Sequence, residues 1–135
     1  MPHCLYSFAT PPDGLARTSA NELARFLMSY AGGGMLDGRR LLQPGTISLM
    51  LSDHLPGIPL TGWMKPQGLA WHVEPMGDGG PFWGHLGGDP GVTTLMVLRP
   101  ADGLGVVILT NARSVSTTLV GIARFIADAA GAPAR

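Results

Sequence analysis

At 135 residues the chain is long enough for one hydrophobic core and too short for two ordinary domains. Apolar residues make up 45% and charged residues 13%, roughly half the usual charged share, so the chain is not disordered for want of surface to bury. Nine basic residues balance nine acidic ones with no basic run, which argues against a nucleic-acid partner and against a polybasic membrane patch.

A single cysteine, Cys4, excludes an internal disulfide and a multi-cysteine zinc site. The longest apolar run, Leu104 to Leu109, falls well short of the roughly 18 residues that a membrane span needs. Met1-Pro2-His3-Cys4 lacks the charged and apolar regions of a signal peptide. The chain as it stands reads as cytoplasmic, or else its true N-terminus lies elsewhere, with a periplasmic parent compatible with that.

Residues 1–17 read as extended or irregular, with Pro11-Pro12-Asp13-Gly14 as a turn signal. Ser19 followed by Glu22 predicts a capping box, and Leu23, Phe26, Leu27 and Tyr30 share one face of the helix it starts. Gly32-Gly33-Gly34 stops that helix and Asp37-Gly38 makes a turn. Pro44 fits the first position of a short second helix carrying Ile47, Met50 and Leu51. Residues 53–67 read as a loop.

From Gly68 the period changes to two. Leu69, Trp71 and Val73 alternate with Ala70, His72 and Glu74, which predicts a strand with the first set buried. Gly77 to Pro81 reads as a turn, Phe82 to Gly87 as a short strand and Val92 to Arg99 as a strong one. Pro100-Ala101-Asp102-Gly103 is a hairpin turn. Leu104 to Thr110, β-branched and nearly all apolar, predicts a central strand. Ser116 to Ala130 predicts an amphipathic helix with Leu119, Ile122, Ile126 and Ala129 facing inward. The fold class is α+β: an antiparallel sheet with flanking helices, a helical segment over 11–67 and the sheet strands with a closing helix over 68–135. One helix on such a sheet leaves its other face, or an edge, uncovered. The chain therefore reads as one partial domain expected to self-associate through uncovered sheet.

His85 is the most suggestive side chain. It ends a strand between Gly84 and Gly87-Gly88, where backbone can approach a ligand closely. His72 reads as a solvent-facing strand residue, Glu74 as a strand-end charge and Glu22 as a helix cap. His3 and His54 have no partner at metal-ligand spacing, so neither metal nor cofactor is expected. Trp63, Trp71 and Trp83 read as core or pocket wall. The glycine run at 84–91 lacks Gly-Lys-Ser/Thr and is no phosphate loop, and no Gly-x-Ser-x-Gly is present. A small independent enzyme using His85 with Asp89 or His72 is disfavoured, because no nucleophile is visible.

Five stretches, in order, resemble the β-lactamase-related serine hydrolases, which comprise class C β-lactamases, D,D-peptidases and β-lactamase-fold esterases. Pro12-Asp13-Gly14-Leu15-Ala16-Arg17-Thr18-Ser19 with Glu22-Leu23-Ala24-Arg25-Phe26 resembles PxGGLxSTAxDLARF. Gly38-Arg39-Arg40-Leu41-Leu42-Gln43-Pro44 resembles GKRLLSP, and Gln67-Gly68-Leu69-Ala70-Trp71 resembles YGLGW. Gly84-His85-Leu86-Gly87-Gly88-Asp89-Pro90-Gly91 resembles GHSGGxPG. Asp102-Gly103-Leu104-Gly105-Val106-Val107-Ile108-Leu109-Thr110-Asn111 resembles GLGVVVLTN.

The resemblance implies a five-stranded antiparallel sheet between helices, an all-helical region, and an active site between the two. It implies three motifs: Ser-x-x-Lys for the nucleophile and its base, Tyr-x-Asn, and a Lys-Thr-Gly or His-Ser/Thr/Ala-Gly strand. His85-Leu86-Gly87 aligns with the third, and the backbone N–H of Gly88 then falls at an oxyanion donor. Leu86 departs from the small or hydroxylated residue usual there, which favours an ester over a β-lactam or peptide carboxylate. The only lysine, Lys65, follows Gly62 by three, so Ser-x-x-Lys is impossible, and neither Tyr6 nor Tyr30 has Asn two positions later. The chain thus resembles the C-terminal third of such a hydrolase, acting on an ester or amide only when its missing part is supplied. The alternative is a non-catalytic binding or interaction module derived from that fold.

Overall fold

The computed structural model describes residues 14, 16–59, 65–77 and 79–131. The expected features at His3, Cys4, Pro11 to Asp13 and Trp63 lie outside the described residues.

Helix α1 (Ala20–Ala31) begins at the expected box. The Glu22 N–H donates to Ser19 Oγ at 3.2 Å, and the Ser19 N–H donates to Glu22 Oε2 at 2.9 Å, so two orphan donors are satisfied reciprocally. That backbone donor, helped by the Thr18 and Ser19 hydroxyls, holds the Glu22 carboxyl below its ordinary range. Ser19→Ala is expected to cost about 1 kcal/mol in a urea melt; an unchanged midpoint would mean that the cap carries no stability. Asp37 and Gly38, at φ 49° and 74°, form the two-residue turn between the short strands β1 (Met35–Leu36) and β2 (Arg39–Arg40). Helix α2 (Pro44–Met50) has Pro44 in its first turn.

The main sheet is antiparallel with order β3-β4-β5-β6, formed by β3 (His72–Glu74), β4 (Phe82–Asp89), β5 (Val92–Arg99) and β6 (Leu104–Thr110). The closing helix α3 (Ser116–Gly131) covers one face. Phe82, Leu95, Val97 and Val106 pack there against Leu119, Ala123 and Ala127. On the opposite face Trp83 and Leu98 pack with Leu27 and Tyr30 of α1, Ile47 of α2, and Trp71. Each face of the sheet therefore carries helix, and of the two expected exposures only the edge remains.

Three expectations need correction. The strand predicted from Gly68 begins only at His72, because Gly68 to Trp71 is the tip of a tight hairpin. The Gly68 N–H donates to the Trp71 carbonyl at 2.7 Å and the Val73 N–H to the Pro66 carbonyl at 3.1 Å. Ala70 sits at φ 57°, so Leu69 is thrown outward and is 44% exposed. The strand β6, predicted central, is an edge strand among the described residues. Helix α3 buries Leu119, Ala123 and Ala127, while Ile122, Ile126 and Phe125 are exposed. Alanines let the helix approach the sheet closely, so its contact line runs through small residues that a hydrophobicity pattern undervalues.

Candidate active site

Strand β4 carries His85, in register with Met96 of β5. Strand β3 pairs with β4 only through Phe82, Trp83 and Gly84. From His85 onward β4 has an open edge on the side away from β5 among the described residues, a row of backbone groups available to a ligand. Gly84, just before His85, lies so close to β5 that a Cβ there would stand 2.0 Å from the Met96 carbonyl oxygen. At Gly87 a Cβ would meet Thr94 Oγ1 at 2.5 Å, whereas Gly88 faces open space. Leu86 packs against the α3-side cluster and so brings no polar group to the edge.

The hairpin tip turns His85 into a defined chemical group. Its Nε2 lies 2.8 Å from the Ala70 carbonyl oxygen, which can only accept, so Nε2 carries the proton and Nδ1 is left as the acceptor. The left-handed backbone at Ala70 and this contact belong to the same turn. Trp71 flanks the imidazole with ring centroids 5.9 Å apart. It is held from behind by Phe26, stacked at 6.1 Å, and Tyr30, tilted at 4.8 Å. Helix α1 thus fixes Trp71, and Trp71 walls His85. His85 keeps one exposed side, and the partial desolvation of the side packed against Trp71 and His72 is the main influence pushing its imidazole below its ordinary range. The Ala70 carbonyl and Glu74 act against that shift, while His72 and Lys65 reinforce it. As pH falls through the ordinary histidine range the unfolded chain takes up this proton first, so acidification is expected to weaken the fold.

Two residues read as bland in the sequence join the site. The Glu74 side chain, 2% exposed, accepts from Lys65 Nζ at 2.7 Å on Oε2 and contacts His72 Nε2 at 2.8 Å through Oε1. Glu74 is thus a buried ion-pair centre rather than a strand-end charge, and His72 is half-buried rather than turned to solvent. The His72 ring stands nearly perpendicular to that of His85, with centroids 4.8 Å apart. The i, i+2 spacing of His72 and Glu74 was the available signal for their pairing. Nothing local pointed to Lys65, nine residues away.

Gly88 also borders a cleft of about 310 Å³ shared with Asp89, Thr93, Arg113, Ser114 and Ser116. His85 does not line it, so the expected site residues His85, Gly87 and Gly88 share a strand without sharing one pocket. Among the described residues no group of three or more His, Cys, Asp or Glu could hold a metal ion, and no helix is long and apolar enough to cross a membrane.

A family model described as Beta-lactamase matches residues 3–131. A search of curated proteins found no match.

Proposed function

Given that the chain belongs to the beta-lactamase family, we propose that it supplies one wall of a serine-hydrolase site for acyl transfer from an ester or amide. The observation that carries this is His85 beside the open edge of β4, with Nε2–H committed to Ala70 and Nδ1 left to exchange a proton with a bound ligand. On this reading the Gly88 N–H donates to the oxyanion of the tetrahedral intermediate, an interaction typically worth about 2.7–4 kcal/mol in the transition state. On the same reading the serine, its lysine and the Tyr-x-Asn group, which these 135 residues lack, would be supplied by another segment. Leu86, which offers no hydroxyl, supports an ester substrate over a β-lactam or peptide carboxylate.

The chain alone is therefore expected to form no acyl-enzyme. It would be incubated with a chromogenic β-lactam, a short-chain p-nitrophenyl ester and a fluorophosphonate, and the intact mass measured. An unchanged mass is expected; a stoichiometric adduct on a serine would overturn the reading.

A second reading, a non-catalytic interaction module, is favoured by β6. This edge strand has no charged residue to discourage pairing, and Ile122, Phe125 and Ile126 of α3 are exposed. If the chain is one part of a larger domain, it should self-associate and bind an apolar dye in sedimentation and fluorescence measurements. A sharp-melting monomer that binds no dye would count against the larger-domain reading, and would leave the module reading with the β6 edge rather than exposed apolar area as its docking surface.

A further inference from the structure

We propose that His72 is a positioning residue for His85: clamped by the buried Glu74 carboxylate, its ring braces the His85 imidazole with Nε2–H on the Ala70 carbonyl and Nδ1 left for a ligand. The proposal deepens the acyl-transfer reading and rests on it for its chemistry, but its test needs no turnover.

The geometry is built from a rigid support outward. Both oxygens of Glu74 are engaged, Oε2 by Lys65 and Oε1 by His72, so the carboxylate is tied at each end. A carboxylate is an acceptor, so His72 presents Nε2–H to it and the orientation of its ring is set. That ring meets His85 nearly perpendicular, at 80° and 4.8 Å between centroids, while Trp71 stands 5.9 Å away. His85 is thus held by a hydrogen bond at Nε2 and by two rings. Among the described residues the charged and titratable groups that act on it come from one hairpin: Lys65, His72 and Glu74. Its β5 neighbour in register is the uncharged Met96, and Tyr30 of α1 packs against Trp71.

A positive charge on His72 disfavours a second on His85, so the same contact that orients the ring also keeps His85 able to accept a proton. A bulky residue that only filled space at position 72 would orient His85 without affecting its protonation. The two roles are separable by substitution. His72→Gln keeps an N–H for Glu74 and loses the imidazole; His72→Ala loses both.

The test is nitrogen-15 imidazole spectroscopy of the intact, histidine-labelled chain over roughly pH 5–8, the range in which histidines titrate. In the unsubstituted chain His85 should be one tautomer, protonated on Nε2. In His72→Gln that tautomer should persist while the His85 midpoint rises, the direction expected when a group that disfavours charge on the neighbouring ring is removed. In His72→Ala the midpoint should rise similarly and the two tautomers should mix. A His85 protonated on Nδ1 in the unsubstituted chain would overturn the proposal without any variant. So would a His85 midpoint that stays put in a folded His72→Gln. Either result leaves the acyl-transfer reading open to its own adduct and reconstitution tests, and failure of those would leave this spectrum unchanged.

Discussion

Replacing Phe82 with alanine is expected to remove about 3–5 kcal/mol of stability, a large share of the roughly 5–15 kcal/mol that holds a domain of this size together. Phe82 is 1% exposed at the start of β4 and packs among Leu95, Val97, Leu119 and Ala123. The Arg99 guanidinium lies 5.0 Å from its ring centroid, so the substitution also removes a cation–π contact. The control is Phe125→Ala on α3, where the ring is 74% exposed and the change should stay within about 0.5 kcal/mol. Urea midpoints of the two variants check both the core and the orientation of α3. A larger loss at Phe125 than at Phe82 would mean that the helix packs by its other face.

Gly84→Ala is expected to cost about 3 kcal/mol, the upper end for overpacking. The added carbon would lie 2.0 Å from the Met96 carbonyl oxygen and 2.8 Å from both Cα and Cγ1 of Val97, and neither backbone can retreat without breaking the β4–β5 ladder. Because His85 is the next residue, the same displacement should disturb its contact with Ala70. Gly88→Ala, four residues along the same strand, meets nothing within 4 Å and should leave stability within about 0.5 kcal/mol. Equal melting of the two variants would contradict the close pairing of β4 with β5 at Gly84.

Where local chemistry decides the outcome, the structure was legible in advance. Ser19 and Glu22 cap α1 as their spacing requires, and the strands Val92–Arg99 and Leu104–Thr110 start and stop at their turn residues. Where contact between distant elements decides, it was not. The alternation from Leu69 to Glu74 persists through a hairpin tip, because a period of two says nothing about where the chain reverses. The contact line of α3 follows Ala123 and Ala127, chosen for closeness rather than hydrophobicity. His85 stood out among its glycines, but its tautomer depends on the Ala70 carbonyl, fifteen residues away. Glu74 read as a terminal charge because its partner Lys65 lies beyond the hairpin.

The central claim is that the His85 edge of β4 forms part of an acyl-transfer site when a nucleophile is supplied. The direct measurement adds, in trans, the upstream segment of a complete family member bearing Ser-x-x-Lys and Tyr-x-Asn, and follows p-nitrophenyl ester hydrolysis with and without His85→Ala. Activity is expected from the mixture and from neither part alone. A loss of about a hundredfold or more is expected in the variant, the scale of a positioned proton-transfer group. A 1:1 complex that forms but does not turn over, or an equally active His85→Ala mixture, would contradict the claim.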